Sequence, residues 1–498
     1  MSAPRVLDTL QDCLRRQNLL RPGACLVAAV SGGSDSMALL AALHHLQQKA
    51  GFALHVCHVQ HGLRGGESLL DEQLVRDTCR RMNLPVHVHN AELGGDLHLP
   101  GMETRARNCR RAFYADTMAS LSADALLLAH HQGDQAETLL LHLLRGAGSH
   151  GLSGMQEMVP FAGGLLLRPF LPLSKAQLRA ALLEWEIPYR EDASNQEALT
   201  PRNALRLNVL PELERLFPGC TGRMARAAGL LRQDDNALEA QTYTLVQSCH
   251  LETESGLYAL FLPALQGAAD AVAVRALRQW VAAAFEKAGI TRSEQSLSAE
   301  ESQTLLAFAL GGDQSAMNLP GGLQAYAGHR WLHLLRQDGT PLAVCPSPEA
   351  LPLDKLQRRV AAGRPDRPLP GWEHSPVDVS LHGRLCTPDA PPDTARTAYV
   401  PVALVPSCVL RTPQPGDTIH PLGAPGTKPL RRYLTDCKID LPFRPHLPVL
   451  AQGSTILWIP GLCTAQRLAY QPDTACLCLT LTQNPPYLNT CKGDENHG

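Results

Sequence analysis

Hydrophobic positions between residues 24 and 186 alternate between short continuous apolar runs and runs with helical spacing. The continuous runs predict strands at 24–30, 53–59, 85–89 and 125–129, and the spaced runs predict helices after them, at about 37–46, 69–82, 103–121 and 134–144. Aliphatic strands separated by helices are typical of a parallel sheet covered on both faces. We therefore predict a Rossmann-like α/β domain whose ligands bind at the carboxyl ends of the strands.

The pattern changes after residue 195. Helical spacing predominates at 204–217, 224–249 and 271–289, and a hairpin is predicted at 321–335. A proline-rich stretch precedes short strand-like segments at 447–450, 455–459 and 476–481. We predict a catalytic domain at 1–217, a mainly helical middle domain at 218–340, a proline-rich linker at 341–396 and a small α+β C-terminal domain at 397–485.

Composition narrows the class of protein. The 498 residues are 44% hydrophobic and 18% charged, which is typical of a folded protein. No apolar run approaches the roughly 20 residues needed to span a bilayer, and the amino-terminal residues do not resemble a signal peptide. We expect a cytoplasmic protein with no membrane partner. The 15 cysteines include no Cys-x-x-Cys pair, which disfavours a disulfide framework and a zinc site.

Charge is distributed unevenly. The net charge of −2 offers no overall attraction for nucleic acid. Residues 401–470, however, contain seven Lys and Arg side chains against three acids. This segment is either a nucleic-acid-binding surface or an ordinary solvated one.

A glycine- and serine-rich hexapeptide follows the first predicted strand and opens a helix. It consists of Ser31, Gly32, Gly33, Ser34, Asp35 and Ser36. Such a turn presents backbone N–H groups and the positive end of a helix dipole to phosphate. A carboxylate there needs a cation between itself and phosphate, and Mg²⁺ fits that requirement. The alternative is an ordinary capped strand–helix turn.

This hexapeptide resembles the PP-loop of the N-type ATP pyrophosphatases. The resemblance implies an enzyme that cleaves ATP between the α and β phosphates, adenylates an oxygen of its substrate and releases pyrophosphate. The loop leaves the identity of that substrate open.

Four further segments resemble the tRNA(Ile)-lysidine synthetases and occur in the order of that family. They lie at 58–64, at 103–110, at 129–138 with 144–155, and at 191–195 with 202–211. Residues 428–449 resemble the small C-terminal domain of the family, and residues 220–395 match little. The resemblance implies a ligase that joins free L-lysine to C2 of the wobble cytidine of the isoleucine tRNA with a CAU anticodon. ATP is consumed, AMP and pyrophosphate are released, and the codon read changes from AUG to AUA. It also implies a monomer or a homodimer.

The resemblance and the residue chemistry together suggest roles for the site residues. Asp35 and Asp134 are expected to hold Mg²⁺. Asp134 and Glu137, one helical turn apart, are suited to bind the lysine amine. Catalytic residues are predicted to be Asp35, Asp134, Glu137 and Arg110; substrate-binding residues are predicted to be Arg107, His130, His131, Arg202 and Arg206. The alternative is that the histidines are packed side chains and the arginines form solvated helix faces.

One position departs from the family pattern. The family usually has two acids in His-x-Asp-Asp-Gln, and Gly133 replaces the first of them here. Since Asp35, Asp134 and Glu137 are present, we expect a working enzyme. The alternatives are a thiolating PP-loop enzyme, which the lack of Cys-x-x-Cys disfavours, and a non-catalytic ATP- or RNA-binding homologue, which only Gly133 favours.

Overall fold

A computed structural model describes residues 3–60, 66–91, 102–190, 200–252, 257–290, 297–312, 314–342, 350–361, 381–482 and 485–488. The chain forms two compact units, Met1–Ala237 and Leu238–Gly498. Within the described ranges, no helix is both long enough and apolar enough to cross a bilayer.

The first unit is built on a six-stranded sheet in the order β3-β2-β1-β4-β6-β5. All neighbouring strands are parallel except β5 and β6, which form an antiparallel hairpin. The strands are β1 (Cys25–Ala29), β2 (Ala53–Gln60), β3 (Val86–Asn90), β4 (Ala125–Leu127), β5 (Met158–Phe161) and β6 (Gly164–Leu167).

Helices cover both faces of this sheet. They are α1 (Ala3–Arg16), α2 (Ser34–Ala50), α3 (Gly66–Arg81), α4 (Met102–Leu121), α5 (Gln132–Leu144), α6 (Ser149–Leu152), α7 (Lys175–Glu184), α8 (Pro201–Ala204) and α9 (Leu210–Leu216). A further helix, α10 (Cys220–Cys249), begins in this unit and ends in the second. Along β1, Leu26 and Ala28 pack in one hydrophobic cluster and Val27 and Ala29 in another. Burial of both faces explains why the strand is a continuous apolar run.

The predicted α/β class is confirmed, and each strand and helix predicted between residues 24 and 144 is present. The sequence prediction missed α1, α7 and the β5–β6 hairpin. The hairpin strands have four residues each, and Pro160 interrupts the first of them. Such short runs carry little periodic signal.

The second unit contains three sheets. The first is antiparallel, in the order β7-β8-β11-β10-β9, the second has the order β12-β15-β18-β19-β16-β17 with β20 paired to β19, and the third has the order β13-β21-β14. The first sheet comprises β7 (His250–Glu252), β8 (Tyr258–Phe261), β9 (Ser315–Leu319), β10 (Leu323–Ala327) and β11 (Trp331–Arg336). The others comprise β12 (Leu351–Pro352), β13 (Leu381–Cys386), β14 (Thr397–Pro401), β15 (Val409–Arg411), β16 (Thr418–Ile419), β17 (Lys428–Pro429), β18 (Val449–Gln452), β19 (Thr455–Ile459), β20 (Cys463–Thr464) and β21 (Cys476–Leu481).

The helices of the second unit pack around one core that includes Trp280 and Trp458. They are the end of α10 with α11 (Leu262–Gln266), α12 (Asp270–Lys287), α13 (Ala299–Leu310), α14 (Leu353–Ala361) and α15 (Leu430–Asp436). The predicted hairpin at 321–335 corresponds to β10 and β11, but the five-stranded sheet that contains it was not predicted.

The linker interpretation of residues 341–396 is wrong for the described residues 350–361 and 381–396. This segment contributes β12, α14 and β13, and β13 pairs along its whole length with β21. Leu353, Leu356 and Leu381 are buried in the core of the unit. Prolines are tolerated at sheet edges, and Pro352 lies in the edge strand β12. The domain boundaries themselves stay a prediction.

Candidate active site

The glycine- and serine-rich loop lies between β1 and α2, at the carboxyl end of the central strand. Gly32 has a φ of +94°, a conformation that favours glycine. Ser36 braces the turn, because its Oγ donates to the carbonyl of Gly33 (3.0 Å) and accepts from the backbone N–H of Ser31 (3.1 Å). The first N–H groups of α2 have no partner within the helix. They are therefore available to an anion at this turn.

Two residues to which the sequence analysis assigned no role, Arg190 and Asp71, hold this loop from outside. The backbone N–H of Arg190 donates to the carbonyl of Gly32 (3.0 Å), and its Nε donates to Oδ1 of Asp71 (2.8 Å). A Cβ on Gly32 would lie 3.5 Å from the backbone oxygen of Asp71. The loop is thus packed between α3 and the chain that follows α7.

Asp35 and Asp134 converge on the imidazole of His131. Nε2 of His131 lies 3.6 Å from Oδ2 of Asp35 and 3.8 Å from Oδ2 of Asp134. Burial alone would lower the pKa of His131, but its interactions with Asp35 and Asp134 outweigh burial and raise it. The structure therefore brings together the two acids that the sequence predicted for Mg²⁺.

Gly133 allows His131 to fold back over the start of α5. Nδ1 of His131 accepts a hydrogen bond from the backbone N–H of Gly133 (2.9 Å), and Oδ2 of Asp134 accepts one from the N–H of His131 (2.9 Å). In the neutral ring this places the proton on Nε2, which faces the two carboxylates. A Cβ at position 133 would lie only 2.7 Å from Cε1 of His131. The ring thus occupies space that a side chain at position 133 would need.

Glu137 is enclosed by two arginines. Its side chain is 2% exposed; Oε2 accepts from Nε of Arg202 (2.7 Å), and Oε1 accepts from Nε of Arg206 (2.5 Å). Arg206 also donates to Oδ1 of Asp134 (3.0 Å). Burial favours the neutral form of Arg206, but the hydrogen bond with Glu137 and the nearby acids raise its pKa. The predicted contact of these arginines with the tRNA backbone therefore competes with ion pairs inside the protein.

A π-helical turn at Leu205–Val209 positions these arginines. It connects α8 to α9, and the N–H of Leu210 bonds to the carbonyl of Leu205. Pro211, at the start of α9, has no N–H and cannot continue an α-helical ladder from the preceding turn. The wider turn accommodates the proline, and π turns are frequent at functional sites.

His130 lies in the loop between β4 and α5, and its pKa shifts in the opposite direction to that of its neighbour His131. Burial, reinforced by Arg168 and Arg202, lowers its pKa to about 4 even though Asp134 opposes the shift. His130 is therefore neutral near pH 7. Its Nδ1 is buried and has no hydrogen-bond partner within the described residues.

The predicted arginines of α4 have different electrostatic neighbours. Arg110 lies within electrostatic range of Tyr114. Burial raises the pKa of Tyr114 to about 12, and the charge of Arg110 opposes this shift. Arg107 instead lies within electrostatic range of Arg168, as do Arg111 and Arg232. The sequence prediction did not identify Arg111, Arg168 or Arg232. The predicted segments at 61–64 and 191–195 lie outside the described residues.

Residues 6–213 match the PP-loop domain, and residues 408–481 match the TilS substrate C-terminal domain. The tRNA(Ile)-lysidine synthase of Symbiobacterium thermophilum is 30% identical over 94% of this chain and 95% of its own length. The enzyme of the same name from Geobacter sulfurreducens is 30% identical over 92% of both chains. That from Bacillus subtilis is 29% identical over 92% of this chain and 93% of its own.

Proposed function

The chain belongs to the tRNA(Ile)-lysidine synthase family, and we propose on that basis that it converts the wobble cytidine of tRNA(Ile) to lysidine. The co-substrates are ATP and free L-lysine, and the products are AMP and pyrophosphate. The observation that carries this proposal is the meeting of Asp35 and Asp134 at His131, directly beside the phosphate loop.

The reaction divides into two displacements. The C2 oxygen of cytosine attacks the α-phosphorus of ATP, and pyrophosphate leaves. The ε-amine of lysine then attacks C2, loses a proton, and AMP leaves. The loop N–H groups and the start of α2 stabilise negative charge on the phosphates, which is the main requirement of such transfers.

The residues at the loop fit a Mg²⁺ ion. Oδ2 of Asp35 and Oδ2 of Asp134 both lie within 4 Å of one imidazole nitrogen, and carboxylate oxygens are the ligands this ion prefers. Asp35 and Asp134 would hold the ion. When bound, it would neutralise charge on the phosphate oxygens.

The contacts of Glu137 favour a positioning role over the predicted amine-binding role. Both of its oxygens accept hydrogen bonds from guanidinium groups. Arg206 bridges it to Asp134, so Glu137 fixes the orientation of a carboxylate at the loop. Asp134 is the residue we assign to the lysine amine.

The C-terminal unit supplies the proposed tRNA-binding surface. Arg411 is excluded, because it forms a buried ion pair with Asp417 (2.7 Å). Within residues 401–470, the exposed cations are Arg431, Arg432, Lys438 and Arg467. These side chains are available to RNA phosphates. A cytoplasmic location and a monomeric or dimeric state remain part of the proposal.

The test is nucleoside mass spectrometry. The protein is incubated with ATP, isotope-labelled lysine and a tRNA(Ile) transcript with a CAU anticodon, and the digest is searched for labelled lysidine. We expect label at one cytidine, and none with Asp35→Ala or with a CAU-to-GAU transcript. Unlabelled cytidine with the unmodified protein would refute the assignment. Binding of tRNA without any modification would instead support the non-catalytic homologue.

A further inference from the structure

Arg168 follows β6 at the same edge of the sheet as the phosphate loop. Strand β6 is parallel to β4, and the N–H of Leu128 bonds to the carbonyl of Leu167. Arg168 therefore leaves the sheet next to the segment that carries His130. Both side chains retain a buried nitrogen without a hydrogen-bond partner among the described residues: Nε of Arg168 and Nδ1 of His130.

Neutral carbonyl groups, and not carboxylates, anchor Arg168 and Arg232. Nη1 of Arg168 donates to the carbonyl of Gln156 (2.7 Å). Nη2 of Arg232, on α10, donates to the carbonyls of Ser153 and Gly154. These bonds fix each guanidinium plane while leaving its charge uncompensated. The acid that faces Arg232 is Asp235, which hydrogen-bonds to His150 (2.8 Å).

Two arginines of α4 complete the group. Arg107 and Arg111 are one helical turn apart and therefore share a helix face. The guanidinium of Arg111 stacks over the ring of Phe161, 4.8 Å from its centroid. Among the side chains that the structure describes, no carboxylate forms an ion pair with Arg111 or Arg168. Burial and repulsion from the other three guanidinium groups lower the pKa of Arg168.

Three guanidinium groups within electrostatic range of Arg168 cost free energy unless an anion offsets their repulsion. The phosphate loop already provides a separate site for the phosphates of ATP. Guanidinium groups with free N–H donors match phosphate oxygens in geometry and charge. The group lies at the carboxyl edge where the wobble base must reach the α-phosphate.

We propose that Arg168, with Arg107, Arg111 and Arg232, binds a backbone phosphate of the tRNA anticodon loop next to the wobble nucleotide. This inference rests on the proposed function, since it requires tRNA as the substrate. Arg168 lies at the centre of the group, and the other three surround the same phosphate. His130, neutral and beside Arg168, adds a hydrogen-bonding nitrogen without adding charge.

The test measures tRNA affinity by fluorescence anisotropy at several salt concentrations for Arg168→Gln and Arg111→Gln. We expect each variant to bind tRNA about tenfold more weakly at 0.1 M salt, and the slope of log K against log salt to shrink by about 1. ATP affinity, measured by calorimetry, should change less than about twofold. Arg15→Gln is the matched control, because it removes the same charge from an exposed pair with Asp12 and should leave both affinities unchanged.

The outcomes separate the two proposals. If the unmodified protein neither binds nor modifies the tRNA, the proposed function fails. If it does both, and neither variant changes the salt slope, the phosphate site is refuted. A loss of ATP affinity with an unchanged salt slope would assign the group to ATP and overturn the RNA contact. Arg111 is exposed on α4, so its variant keeps the test valid if Arg168→Gln does not fold.

Discussion

Two sides of the same sheet edge differ in how their charges are balanced. On the acidic side, Asp134 and Glu137 are matched by Arg202 and Arg206 through short contacts. On the basic side, Arg168 and Arg232 are held by backbone carbonyls, and Arg107 and Arg111 lie within electrostatic range of Arg168. The charges of Asp134 and Glu137 are thus paired with arginines of the protein. Among the described side chains, Arg111 and Arg168 have no paired carboxylate, and a substrate phosphate can supply the missing negative charge.

This difference in charge balance separates residues that position other side chains from residues that bind substrate. A balanced buried cluster contributes little net stability, but removing one member leaves an uncompensated charge. An unbalanced cluster loses little stability when one member is removed, because repulsion decreases. Substitutions on the acidic side should therefore change folding, and substitutions on the basic side should change binding.

Asp35 gives the largest expected effect, because it is the acid nearest the phosphates. Asp35→Asn should lower the rate of lysidine formation about 100- to 1,000-fold, the usual cost of losing one electrostatic contact to a transferring group. Stability should be nearly unchanged, since the side chain is only half-buried. The rate is measured by labelled-lysine incorporation, with Asp12→Asn on the exposed surface of α1 as control. A rate within threefold of the unmodified protein would remove Asp35 from catalysis.

Substitution of Glu137 tests the acidic side, where arginines balance the carboxylates. Glu137→Gln should destabilise the first unit by about 3 kcal/mol, because Arg202 and Arg206 lose their shared carboxylate. Urea denaturation followed by tryptophan fluorescence and circular dichroism measures this change. Glu212→Gln, which removes an exposed partner of Arg215, is the matched control and should cause no measurable change. Equal stability of the two variants would contradict the idea that the cluster holds the π turn in place.

Because the pKa of His130 is lowered in the folded protein, we expect the stability of the protein to depend on pH. The folded state keeps His130 neutral until about pH 4, whereas the unfolded chain takes up a proton below about 6.5. The free energy of unfolding should therefore fall as pH decreases from 6.5 to 4, by at most about 3 kcal/mol from this residue. A His130→Asn variant lacks this contribution and should lose less stability over that range. Parallel stability curves for the two proteins would show that His130 is protonated in the folded state.

Gly133 gives the smallest expected effect. Gly133→Ala should cost about 1 kcal/mol, because a Cβ forces the His131 ring away and breaks its hydrogen bond at the start of α5. Combining it with His131→Ala removes the clash, so the two substitutions should be less than additive. Thermal unfolding of the single and double variants measures the coupling. Strict additivity would mean that the ring moves freely.

The residues that the sequence predicted correctly depend on local pattern. Continuous aliphatic runs identified β1 and β4, and the turn after β1 identified Asp35. Contacts between distant segments were not predictable in this way. Nothing near Glu137 in the sequence indicates that Arg206 neutralises it from 69 residues away. Arg168 was missed because the run of three leucines before it is too short to indicate a strand.

The π turn at Leu205–Val209 has a consequence for chain length. It contains one residue more than an α-helical turn would need, so it acts as a built-in insertion. Deleting Asn208 would turn the bond between the N–H of Leu210 and the carbonyl of Leu205 into the i→i−4 bond of a regular α-helix. Leu210 would then keep its buried position, because the extra residue is absorbed within the turn. The wide turn therefore adds a residue beside Arg206 without shifting the buried face of α9, and a one-residue deletion should be better tolerated here than inside a regular helix.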